Sequence, residues 1–115
     1  MLQSTTMVRL TVLINAASAR AVQELVEALR YLITGTQFEP GCRGCSVWSD
    51  PDMTVHYLEE WDTEADMRRR VRSPRFTSLL SVIEAAPEQP HVQFDFVTST
   101  RGLDYISQVR LDSPS

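Results

Sequence analysis

Tyr57, Glu59 and Trp61 occupy every second position of the stretch TVHYLEEW, which sets a phenol, a carboxylate and an indole on one side of an extended strand. Such a trio can line a cavity for a flat organic ligand, or it can fill a core, as strand aromatics ordinarily do. His56 falls on the opposite side of that strand, so one cavity would not use it together with Tyr57. It suits a base or a satisfied position at a subunit interface, and the interface is the reading adopted. His91 is expected at a rim. Arg68, Arg69, Arg70, Arg72 and Arg75 form a dense basic run, of a kind that offsets a helix dipole or solvates an exposed face. If Met67 and Val71 face inward on that helix, Arg70 flanks the buried stripe while Arg68 and Arg72 point to solvent. A guanidinium there suits a substrate anion. Tyr57, Trp61 and Arg70 are therefore the candidate catalytic residues, with Glu59, Met67, Phe76 and Arg75 as candidate substrate contacts.

Cys42-Arg43-Gly44-Cys45 is a CxxC spacing. Zinc would need two further ligands, and the chain has no second pair, so no metal is expected. Along an extended strand three residues span about 10 Å, beyond the roughly 7 Å that a disulfide tolerates, although a turn at Gly44 would restore the reach.

The elements that must hold these residues read clearly. Met7 to Ile14 alternates, with Val8, Leu10, Val12 and Ile14 on one wholly apolar side. Ser18 is a plausible N-cap for a helix from Ala19 in which Val22, Leu25, Val26, Leu29, Leu32 and Ile33 recur at helical spacing, with Gly35 as its stop. Asp50-Pro51-Asp52 has turn chemistry between two strands, Gly44 to Ser49 and Thr54 to Trp61. Thr63 and Asp66 make an imperfect capping box for a helix beginning near Glu64. Ser73-Pro74 breaks that helix. A further helix restarts near Pro74 or Arg75 with Phe76, Leu79, Leu80 and Ile83 on one face, and Pro87 and Pro90 end it. His91 to Ser99 alternates again, Val92, Phe94 and Phe96 against Gln93, Asp95 and Val97. The tail from Arg101 to Leu111 fits both the strand and the helix period, its apolar content is that of a docking segment, and LDSPS is expected to fray.

The order β, α, β, β, α, α, β is that of an α+β, ferredoxin-like split βαβ domain with a four-stranded antiparallel sheet. Its 115 residues make one domain, a core over about 7–99 with a C-terminal extension over 100–115. Val55, Tyr57 and Trp61 on one side of a strand and Leu58 on the other leave a sheet face that water would not cover well, and a symmetric homodimer packed through sheet faces answers this. The net charge of −4 argues against a nucleic-acid partner. All eleven basic residues are Arg, which removes Schiff-base chemistry and a phosphate-loop lysine. No apolar run is long enough to span a membrane, and MLQSTT lacks the form of a secretory signal, so a cytoplasmic protein is expected.

Glu39-Pro40-Gly41-Cys42 entering one strand, Tyr57-Leu58-Glu59-Glu60-Trp61 closing the next, and the Ser73-Pro74-Arg75-Phe76 break resemble the antibiotic biosynthesis monooxygenase-like proteins of the dimeric α+β barrel group. With the element order, the resemblance covers roughly Met7 to Ser99. It implies a homodimer of face-to-face sheets and oxygenation of quinols or polycyclic phenols without metal, flavin or other cofactor. Such chemistry asks the protein for a dry cavity and help in deprotonating a substrate that itself reduces oxygen. Family members often carry His where this chain has Arg70 and Arg75, and the haem-degrading branch pairs a Trp and a His where it has Arg70 and Leu80. Haem breakdown is therefore not expected. The alternatives are a non-catalytic dimeric small-molecule-binding or structural module of the same fold, and an isomerase or cyclase on an aromatic intermediate.

Overall fold

The computed structural model describes residues 6–112. The reading of the MLQSTT start, except Thr6, and of the fraying of Ser113 to Ser115 lies outside the described residues. In chain order the elements are β1 (Met7–Asn15), α1 (Ala19–Thr36), β2 (Cys42–Ser49), β3 (Thr54–Trp61), α2 (Glu64–Arg72), α3 (Pro74–Glu84), β4 (His91–Val97) and α4 (Leu103–Asp112). The four strands form one antiparallel sheet in the order β2-β3-β1-β4, the ferredoxin-like arrangement. No helix among the described residues is long and apolar enough to cross a membrane.

Local chemistry explains the boundaries. The Ser18 side chain accepts from the Ala21 N–H at 3.1 Å and opens α1. That helix runs through Gly35, the expected stop, and closes one residue later at Thr36, with Gln37 as its cap. In the hairpin turn the Asp50 carbonyl accepts from Met53 N–H, and the Asp50 side chain accepts from Asp52 and Thr54 N–H at 2.9 and 3.1 Å. Thr63 accepts from the Asp66 N–H at 3.1 Å and opens α2. Ser73, held extended by the proline that follows, donates its hydroxyl to the Arg70 carbonyl at 2.7 Å and closes α2, while Pro74 opens α3.

Val8, Leu10, Val12 and Ile14 of β1 are buried with Val55, Tyr57 and Trp61 of β3 beneath Leu29 of α1, Met67 of α2 and Phe76 and Leu79 of α3. Two expectations fail in detail, at Val71 and Leu80. Val71 does not face inward: Arg70 takes the buried place and Val71 is largely exposed. Leu80 is likewise exposed. Val92, Phe94 and Phe96 sit on the helical side of the sheet, opposite Val12, Leu10 and Val8, yet Phe94 and Phe96 remain 39% and 54% exposed. The helices leave this edge strand largely uncovered. The tail resolves as α4, a helix with no buried residue.

One glycine carries a conformational demand. Gly41 has φ +86°, and a Cβ there would fall on the Asp66 carboxyl, which Thr63 and Arg69 hold at 2.9 and 2.7 Å. Gly41→Ala is expected to destabilise by about 2 kcal/mol, combining left-handed strain with displacement of that carboxyl, as urea unfolding would measure. Gly35→Ala meets only the flexible end of Arg75 and should be close to neutral.

Candidate functional site

Because β3 alternates, Tyr57, Glu59 and Trp61 all point beneath the helices, and α2 brings Arg70 across to meet them. Glu59 is the hub. Its Oε1 accepts from Trp61 Nε1 at 2.9 Å and Arg70 Nε at 3.1 Å; its Oε2 accepts from Tyr57 Oη at 2.5 Å and Arg70 Nη2 at 2.9 Å. Four donors occupy the carboxylate's lone-pair positions, and Arg70 engages it as a bidentate fork. All four side chains are buried. The Arg70 guanidinium also stands 5.2 Å from the Phe76 ring centroid, and its Nη1 is buried with no hydrogen-bond partner among the described residues. Burial alone would lower the Arg70 pKa, but the hydrogen bonds and charge of Glu59 raise it overall. Burial, reinforced by Glu59, pushes the Tyr57 phenol well above its ordinary range.

Of the residues singled out from sequence, Tyr57, Glu59, Trp61, Arg70 and Phe76 thus form one cluster. Met67 is buried one turn before Arg70 and also lines a cleft of about 290 Å³ between α2 and β4, together with Val71, Phe94 and Phe96. That cleft had no signal in the sequence, because it exists only where the helices stop short of β4. Arg75 stands elsewhere: it lines a separate cleft of about 280 Å³ between α1 and α3, with Tyr31, Thr34 and Ser78. His56 lies on the opposite sheet face, 2.9 Å from Asp50 and stacked on Trp48 at 5.1 Å between ring centroids. Its hydrogen bond is the main reason the Asp50 carboxyl sits below its ordinary pKa. His91 is exposed at the start of β4. Glu39, which sequence reasoning passed over, places in the loop before β2 a buried carboxylate oxygen that has no partner among the described residues.

The CxxC behaves differently from an extended strand. A register shift between Cys42 and Gly44 turns both cysteines to the helical side, opposite Trp61 and Glu59, and brings their sulfurs within 3.7 Å. Burial raises both thiol pKa values, most strongly at Cys45, where the Glu59 charge adds to it. The folded chain thus holds the Cys42, Cys45 and Tyr57 protons more tightly than the unfolded chain does. The stability this contributes is intact below the ordinary thiol pKa of about 8.5 and declines as pH rises above it. The urea midpoint is expected to be lower at pH 10 than at pH 8, and iodoacetamide should label both cysteines more slowly than a free thiol at pH 8. No group of His, Cys, Asp and Glu among the described residues could hold a metal ion.

The chain is similar in fold to several solved structures. A conserved protein from Methanosarcina mazei is 23% identical, with a TM-score of 0.68, over 82% of this chain and 95% of that one. A Mycobacterium tuberculosis protein is 17% identical, with a TM-score of 0.65, over 84% and 98%. A protein described as an antibiotic biosynthesis monooxygenase is 20% identical, with a TM-score of 0.62, over 76% and 95%. No curated protein matches. The antibiotic biosynthesis monooxygenase family profile matches residues 7–80, a span running from β1 into α3 that takes in the whole Tyr57, Glu59, Trp61 and Arg70 cluster. With well over half of its length matched in this way, the chain belongs to the antibiotic biosynthesis monooxygenase family.

Proposed function

We propose that this protein is a cofactor-independent monooxygenase acting on a quinol-like or polycyclic phenolic small molecule, and that it works as a homodimer packed through the uncovered sheet faces. The observation that carries the catalytic reading is Arg70: a buried cation whose fork is fixed by Glu59 and whose remaining nitrogen has no partner among the described residues. Such a nitrogen in dry surroundings stabilises a phenolate, which is the form of the substrate able to give electrons to oxygen. The ring enters from the α2–β4 cleft, and Met67, a flexible side chain shared by that cleft and the core, swings aside to admit it. A ring carbon that bears one hydrogen, ortho or para to the phenolic oxygen, becomes a carbonyl; the second oxygen atom leaves as water with that hydrogen and the phenolic proton. The substrate supplies every electron.

The test is oxygen uptake across a panel of hydroquinones and polycyclic phenols in metal-free buffer. Acceleration is expected with the native protein and its loss in the double variant Glu59→Gln/Arg70→Met, which keeps the core filled. The absence of acceleration with every compound overturns the reading.

One observation favours the binding-module alternative: Glu59 is saturated by the chain's own donors and offers no free position to act as a base. That reading expects thermal stabilisation by a phenol recovered chemically unchanged.

A further inference from the structure

Two apolar surfaces of this chain lack a partner. The cleft between α2 and β4 presents Val71, Phe94 and Phe96, all exposed. The helix α4 presents Tyr105, Ile106 and Val109 on one face, and none of its residues is buried. The helix stands off the body of its own protomer: the radius of gyration is 17.3 Å and the long axis 54 Å, where a compact chain of this length would have a radius of about 13 Å.

We infer that α4 of one protomer seats in the α2–β4 cleft of a second copy of the same chain, laying Tyr105, Ile106 and Val109 against Val71, Phe94 and Phe96 of its partner. One opposite-charge pair is available: Arg72 at the rim of the cleft and Asp112 at the end of α4 make no ion pair among the described residues, whereas Arg68 is held by Glu64, also on the rim, and Asp104 by Arg101. A lipid surface fits poorly, because the charges of α4 are Asp104, Arg110 and Asp112, with no basic face to meet anionic headgroups. Exchange of a terminal helix between identical chains is a low-cost way to cover both surfaces at once. The docking itself rests on the two surfaces and stands or falls apart from the reaction.

The experiment uses full-length chains in a Cys42→Ser/Cys45→Ser background, checked by circular dichroism for native structure. One chain carries Phe96→Cys, another Ile106→Cys; they are mixed, allowed to exchange and oxidised. The expected result is a disulfide-linked heterodimer, read as a shift from one chain mass to two on a non-reducing gel. A single chain carrying both cysteines that instead bridges within itself, at the mass of one chain, overturns the inference in favour of α4 folding back on its own cleft. Failure to bridge in either arrangement overturns it as well. As a second measurement that needs no new cysteine, Ile106→Asp is expected to weaken self-association roughly tenfold or more in sedimentation equilibrium; unchanged association overturns the inference, and an unaltered rate of oxygen uptake beside an altered dimer separates it from the proposed reaction.

Discussion

Arg70→Met is expected to lower the free energy of unfolding by about 3–5 kcal/mol, because it strands the Glu59 carboxylate in a site without water. Glu59 and Arg70 are each almost wholly inaccessible, so neither has solvent to fall back on. Placing Glu59→Gln beside it should restore most of the loss. The glutamine carbonyl still accepts from the Trp61 N–H, its amide can serve the Tyr57 hydroxyl, and the methionine fills the space of the guanidinium stem. Replacing a buried ion pair as a unit is commonly near neutral, whereas breaking it is not. Urea unfolding of the wild type, both single variants and the double variant forms a complete cycle. A strictly additive cycle would show that the pair is not coupled, and a small effect of Arg70→Met alone would show that water reaches it. The same double variant separates roles: it should fold and yet not turn over a phenol.

Leu58→Asp is expected to weaken self-association sharply while leaving the protomer folded. Leu58 is on the sheet face that the helices do not cover, between Thr11 and Ser46 and diagonal to Leu13 and the Trp48–His56 stack. An isologous contact brings the same patch of both chains together, so one substitution introduces two like charges into one interface. Such juxtaposition costs several kcal/mol, a rise in dissociation constant of roughly 100-fold or more. Sedimentation equilibrium reads it directly, with an unchanged circular dichroism spectrum as the check on fold. A wild-type chain that is monomeric at micromolar concentration, or a variant that associates as tightly as the wild type, would refute packing through this face. If Leu58→Asp dissociates the chains while the α4 bridge never forms, the sheet-face dimer stands and the exchanged helix does not.

The split-βαβ order, the capped starts of α1 and α2 and the break at Ser73-Pro74 were legible from local chemistry, since each depends on residues within a turn or two of one another. The alternation of β3 likewise placed Tyr57, Glu59 and Trp61 together and His56 away from them. Period alone was a poorer guide on α2. Val71 is apolar and was expected inside, but the buried carboxylate of Glu59 draws Arg70 into that place and turns Val71 toward β4. The CxxC was read at the strand rise, and the register shift beside Gly44 shortened it. The tail was ambiguous because ten residues with apolar positions at both periods carry little information until something packs against them.

From the chain by itself came the elements, their order, and which strand side each aromatic and carboxylate occupies, because these follow from steric and hydrogen-bonding rules that act over a few residues. Three things needed the tertiary structure: that Glu59 and Arg70 pair across 11 residues of sequence, that the edge strand stays open beside α2, and that α4 stands apart. Each is a relation between elements distant along the chain. Desolvation and the reach of a helix over a sheet decide such relations, and neither has a local signature.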